Sequence, residues 1–141
     1  MEVIDKLKSK NIKVTEVDKW GPYFRKRWED SFAGHMSYDE KKAIYLYDDD
    51  GACGFLWHIF SYEKRKCLKG EEAKRAFDVE RKDFCYIFYQ LSDVVLILEK
   101  ASGLIASDLD TEFDVYVADK EFNWTYVKTH EEEYGPYFCR R

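Results

Sequence analysis

The spacing of apolar positions changes several times along the chain, and each change marks an element. Residues 2–10 place Val3, Ile4 and Leu7 on one side of a short helix. Ile12, Val14 and Val17 then alternate with polar neighbours, which predicts a half-buried strand at a sheet edge. After Trp20-Gly21-Pro22, the residues Phe24, Trp28 and Phe32 recur every four positions. That is an aromatic stripe at helical spacing, with proline suited to the helix start and Gly34 to its stop. Ser37 and Glu40 have the spacing of a capping box and predict a second helix reaching Tyr45 to Tyr47.

Asp48-Asp49-Asp50-Gly51 reads as a turn, and Phe55 to Ser61 as a strand candidate bulky on both faces, with a helical end as the alternative. Gly70 to Arg81 predicts a charged helix with Ala73, Ala76, Phe77 and Glu80 along its inner face. From Asp83 to Lys100, two runs of β-branched and aromatic residues flank Leu91-Ser92-Asp93, the signature of a hairpin. Both runs are apolar at consecutive positions, so the hairpin belongs inside a sheet with both faces covered. Residues 101–110 form a connection. Phe113 to Ala118 and Trp124 to Thr129 alternate as two further strands, each with one buried and one exposed face, joined by a short loop. Helices early and strands late predict an α+β fold. The sheet is largely antiparallel, of about five or six strands, with helices from the N-terminal half packed on it.

Length and composition fit this picture. The 141 residues make a single globular domain over 1–141. A chain of this size buries about 68–70% of the surface its unfolded form exposes, and needs no disulfide or metal to hold it. Aromatic residues make up 18% of the chain, so some rings are expected at the surface. The net charge of −5 disfavours binding to a phosphate backbone and suits a basic protein partner. The N-terminal residues lack a signal-peptide layout, and the apolar run Val94–Leu98 is too short to span a bilayer. The expectation is a cytoplasmic protein, away from membranes, with Cys53, Cys67, Cys85 and Cys139 as free thiols.

Candidate chemistry is sparse. His58 lies in Trp57-His58-Ile59-Phe60 and His130 follows a strand. With Asp114, Glu131 or Glu132 they could form an acid–base pair or a metal site, but no H-x-H or H-E-x-x-H spacing accompanies them. No metal or cofactor is therefore predicted, and a histidine hydrogen-bonded near the core is the plainer reading. The cysteines fit no C-x-x-C motif. Asp48–Gly51 lacks the alternating ligands of a calcium loop, and Gly51-Ala52-Cys53-Gly54 lacks the Lys-Ser/Thr of a phosphate loop. Arg25-Lys26-Arg27 and Lys64-Arg65-Lys66 read as solvated faces. Gly-Pro-Tyr-Phe occurs at 21–24 and again at 135–138, a match too short to count as a repeat.

Three stretches carry a resemblance: Trp57-His58-Ile59-Phe60-Ser61-Tyr62; Asp114 to Val117 with Trp124 to Glu131; and Gly135-Pro136-Tyr137-Phe138. Together they resemble an uncharacterised bacterial domain-of-unknown-function family of about this length. The resemblance implies no activity and no site. In general build, acidic and aromatic-rich, the chain is also similar to toxin-neutralising immunity proteins.

Two functional expectations follow. The first is a non-catalytic protein-binding domain, immunity- or inhibitor-like in its sharpest form. It acts through tyrosines such as Tyr23, Tyr38, Tyr45, Tyr47, Tyr62 and Tyr134, a surface that a second copy of the chain could also cover as a homodimer. The alternative is a small-molecule-binding domain or small enzyme, with a pocket built from Trp57, His58, Trp124, Tyr126 and His130.

Overall fold

The computed structural model describes residues 1–47, 54–131 and 133–141. The expected turn at Asp48–Gly51, the Gly51–Gly54 loop up to Cys53, and Glu132 lie outside the described residues. In chain order the elements are α1 (Glu2–Ser9), β1 (Lys13–Val17), α2 (Gly21–Phe32), α3 (Tyr38–Ala43), α4 (His58–Ser61), β2 (Leu68–Lys69) and α5 (Gly70–Val79), followed by β3 (Phe84–Tyr89), β4 (Val95–Glu99), β5 (Val115–Asp119), β6 (Trp124–Lys128) and β7 (Tyr137–Arg140). Two turns of 3-10 helix lie between β4 and β5. Among the described residues no helix is long and apolar enough to cross a membrane.

The strands make one sheet in the order β1-β4-β3-β5-β6-β7-β2, and every neighbouring pair is antiparallel. The fold is α+β, as the pattern predicts, with β1 at an edge. The sheet has seven strands rather than five or six. The additional strands are β2 and β7, each too short or too close to a proline to announce itself.

Phe55 to Ser61 is not a strand: a turn at Leu56 and Trp57 leads into the short helix α4 at His58–Ser61, the alternative that the run left open. Ile59 and Phe60 of α4 are buried, as is Leu56 in the turn before it. A short apolar run has no period of its own that separates these two readings.

A second correction concerns β5 and β6. Their alternation predicts one exposed face, yet Val115, Tyr116, Val117, Ala118, Trp124, Thr125, Tyr126 and Val127 are all buried. The sheet is covered on both sides. On one face, Val117, Tyr126 and Leu98 pack with Val3 and Leu7 of α1 and with Ala73 and Phe77 of α5. On the other, Tyr116, Phe88 and Val127 pack with Phe24, Trp28 and Phe32 of α2 and with Ile59 and Phe60 of α4. The aromatic stripe of α2 thus does what its spacing predicts.

Local signals are realised in detail. Ser37 and Glu40 close a reciprocal cap on α3, although this helix ends at Ala43. At the far end of α5, buried Lys82 donates to the carbonyls of Phe77, Asp78 and Glu80, satisfying the acceptors that the last turn leaves open. The arginines of the basic runs are bound within the molecule rather than solvated. Arg25 holds the carbonyls of Tyr89 and Ser92 with the Asp93 carboxylate, and Arg65 reaches Phe32 O and Cys139 Sγ. The two Gly-Pro-Tyr-Phe segments adopt different structures: the first starts α2, while the second runs through a cis Gly135–Pro136 bond into β7.

Candidate functional site

The site begins with Asp114, which enters β5 with a left-handed backbone (φ 50°) and a side chain only 5% exposed. A buried carboxylate requires donors, and the fold supplies them from two distant segments. Trp57 Nε1 donates to Oδ1 at 3.0 Å. The His130 backbone N–H donates to the same oxygen at 3.2 Å, and His130 Nδ1 lies 3.0 and 2.9 Å from the two oxygens. Facing a carboxylate, Nδ1 carries the proton and donates. The imidazole is thereby fixed in orientation, and its Nε2 lies 3.4 Å from Glu131 Oε1.

Trp57 and His58 are positioned by the start of α4. The Leu56 N–H donates to Gln90 Oε1 at 3.0 Å, and the Trp57 N–H to the Tyr116 hydroxyl at 3.2 Å. The Tyr116 hydroxyl in turn donates to Gln90. Complete burial pushes the Tyr116 phenol well above its ordinary range, so it stays protonated and keeps donating. His58 Nδ1 donates to Tyr45 O at 3.0 Å, leaving its Nε2 as the other nitrogen in play.

Both imidazoles rest on the same two rings. Trp57 lies 4.7 Å from His58 and 5.8 Å from His130, centroid to centroid; Phe55 lies 5.6 and 5.1 Å from them. A surface depression of about 360 Å³ opens here, lined by Trp57, His58, Ser61, Tyr62, Glu131 and Tyr134. Tyr62 is 45% exposed and Tyr134 46%. Tyr45 extends the aromatic surface, its ring 6.3 Å from that of Tyr62.

The structure brings together three of the five residues singled out in the sequence: Trp57, His58 and His130. It separates the other two. Trp124 and Tyr126 face the opposite side of the sheet, Trp124 stacked near Phe138 and Tyr126 against Phe77 at 4.3 Å. Residues two apart on a strand share a face, and β6 turns 124 and 126 towards α5. Gln90 and Tyr116, which anchor the site, carry no sequence signal beyond apolar or polar strand residues.

Among the described residues, no three His, Cys, Asp or Glu side chains are grouped to hold a metal ion. The thiols are poorly disposed for attack. Burial pushes Cys85 up to about 12 and Cys67 up to about 11, and raises Cys139, which accepts from Arg65 Nε at 3.3 Å. The arrangement offers instead the His58 imidazole, the Glu131 carboxylate and the exposed Tyr62 and Tyr134 phenols around a shallow concavity, with the Asp114-bound imidazole of His130 beside Trp57.

No curated protein and no solved structure matches the chain. The model of the family described as Domain of unknown function (DUF4275) matches residues 1–138, and the chain belongs to that family.

Proposed function

We propose that the protein is a non-catalytic binding domain that engages another protein at the depression beside His58, taking a cationic side chain of its partner there. One observation carries the reading: Glu131 lines the depression together with the half-exposed phenols of Tyr62 and Tyr134, and no Lys or Arg among the described residues lines it. A carboxylate flanked by aromatic faces favours a guanidinium or ammonium group. The net charge of −5 adds attraction at longer range. In its sharpest form the partner is a basic toxin and the domain its immunity-type inhibitor, in the cytoplasm of a bacterium. The free thiols at Cys67, Cys85 and Cys139 support a reducing compartment.

The test is titration with peptides of equal length carrying arginine, lysine or glutamate. Basic peptides bind, binding weakens as salt rises, and Glu131→Gln and Tyr62→Ala each reduce it several-fold. Equal affinity for acidic and basic peptides would sink the reading.

A second reading is a small-molecule-binding domain or small enzyme at the same place. The Asp114–His130 pair favours it, since a carboxylate at 2.9 Å is how a general base is oriented. A ligand screen followed on the His58 and His130 ring resonances decides the matter: a small molecule that moves both supports it, and a library that moves neither ends it.

A further inference from the structure

The β2 edge of the sheet holds two thiols side by side. β2 and β7 pair antiparallel, Leu68 opposite Phe138 and Lys69 opposite Tyr137. One step further along that ladder brings Cys67 alongside Cys139. Both side chains are on the α2 and α4 side of the sheet, Cys139 buried in that core and Cys67 packed against it. Cys139 Sγ lies 3.5 Å from Lys66 O, the carbonyl oxygen of the peptide bond into Cys67. Directly opposed residues of an antiparallel pair have Cα atoms about 4.5–5.5 Å apart, inside the range of about 4.4–6.8 Å that a disulfide spans. Cys85 belongs to the core on the other side of the sheet.

The two thiols differ in access. Cys139 is 2% exposed, whereas Cys67 is half-buried, and a surface depression of about 240 Å³ is lined by both. The linings of that depression and of a second one that reaches Cys67 hold Arg65, Lys66, Lys69 and Arg140 against one carboxylate, Glu63. Such a setting draws an anionic reagent. Arg65 Nε donates to Cys139 Sγ at 3.3 Å, which favours the thiolate there. We propose that Cys67 and Cys139 form a reversible disulfide by exchange with a small anionic disulfide of the glutathione type, Cys67 as the entry thiol and Cys139 as the resolving one. The Cys67 thiolate attacks one sulfur of the reagent, forming a mixed disulfide and releasing one glutathione thiolate. The Cys139 thiolate then attacks the Cys67 sulfur and displaces the second. The two protein thiols lose two protons and two electrons, and the reagent leaves as two thiols. Burial raises both protein thiols, Cys67 up to about 11, so the exchange is slow at neutral pH and quickens as pH rises. The product staples the segment between α4 and α5 to the last strand, beside a ladder of two residue pairs.

The experiment is incubation of the folded full chain with oxidised glutathione at about pH 8.5, then blocking of free thiols, tryptic digestion without reductant and mass mapping. Trypsin places the four cysteines in separate peptides. The product is a monomer two hydrogens lighter, with the Cys67 peptide joined to the Cys139 peptide, and dithiothreitol returns it to the starting mass. Its rate of formation rises roughly tenfold from about pH 7.5 to about pH 8.5, as the thiolate fraction does. Cys139→Ser arrests the exchange as a glutathione adduct on Cys67, whereas Cys67→Ser leaves Cys139 unmodified. The proposal is overturned if Cys67 and Cys139 both stay free under a treatment that links cysteines in the urea-unfolded chain, if the joined peptides carry Cys53 or Cys85, or if the two variants form adducts alike.

Discussion

The indole nitrogen of Trp57 donates to Asp114 across 57 residues of sequence, and this bond ties α4 to the start of β5. The same carboxylate orients His130. Asp114→Ala would leave a buried indole N–H and the His130 ring without their acceptor, at about 2–4 kcal/mol. Asp114→Asn keeps an acceptor for Trp57 and a residue that tolerates a positive φ, so it costs less. Denaturant unfolding of the two variants checks the order; equal losses would mean that the backbone conformation, not the hydrogen bonds, dominates.

A second buried carboxylate sits in α2. Glu29 Oε2 accepts from Lys41 Nζ at 2.8 Å and from the Tyr47 hydroxyl at 2.7 Å, with the Glu29 and Lys41 side chains 8% and 10% exposed. Lys41→Met strands Glu29 and is expected to cost about 3–5 kcal/mol, whereas the double variant Glu29→Leu/Lys41→Met recovers most of that loss. A double variant no more stable than the single one would refute the account.

Trp28 is fastened to the sheet by one hydroxyl. Its Nε1 donates to Thr125 Oγ1 at 2.8 Å, and Thr125 donates onward to Val117 O at 2.8 Å. Thr125→Val keeps the shape and removes the acceptor, leaving the indole unpaired at about 1–3 kcal/mol. Thr125→Ser, which keeps the hydroxyl, stays within about 1.5 kcal/mol of the original, the cost of one buried methyl.

Alkali should unfold the protein through its tyrosines. Burial raises Tyr89, Tyr116 and Tyr126, and pushes Tyr137 up to about 12. An unfolded tyrosine ionises near pH 10, so above that the unfolded chain binds fewer protons than the folded one. Stability is therefore full below about pH 10 and falls as pH rises towards the folded values. Tyrosinate absorbance should show the exposed phenols titrating first and the buried set only as the near-ultraviolet dichroism of the fold is lost. Titration of all eleven in one step near pH 10, with the fold intact, would contradict the burial described.

Thiol reactivity should follow burial as well. In a Cys53→Ser background, Cys67 alkylates slowly at neutral pH, and its rate climbs until about pH 11. A rate already level by pH 9 would show an ordinary, open thiol.

How much of this could be read from the residues depends on range. Phe24, Trp28 and Phe32 announce their helix because the signal is local and repeated, and Ser37 and Glu40 announce theirs through side chains three residues apart. The hairpin of β3 and β4 is legible for the same reason. Phe55–Ser61 is not, since its run of bulky residues suits either a covered strand or a buried helical turn. Nor does alternation in β5 and β6 reveal that helices cover both faces; the polar members of the pattern, such as Thr125, are buried with their hydrogen bonds satisfied. His58 and His130 are visible as candidates, but their convergence on Trp57, and the departure of Trp124 and Tyr126 to the other face, are set by register and by α4. Gln90 and Tyr116 act only through tertiary contact and leave no local trace.

The strand order also governs when the fold can form. β1 pairs only with β4, Lys13 opposite Glu99, and β2 only with β7, the last strand made. A chain emerging from the ribosome therefore presents its first strand and the aromatic stripe of α2 long before their partners exist. The contiguous ladder β4-β3-β5-β6, which contains the two hairpins β3-β4 and β5-β6, is where structure can start, and it lies in the second half. The helices of the first half cover a surface made in the second half, and until it forms Phe24, Trp28 and Phe32 have nothing to pack against.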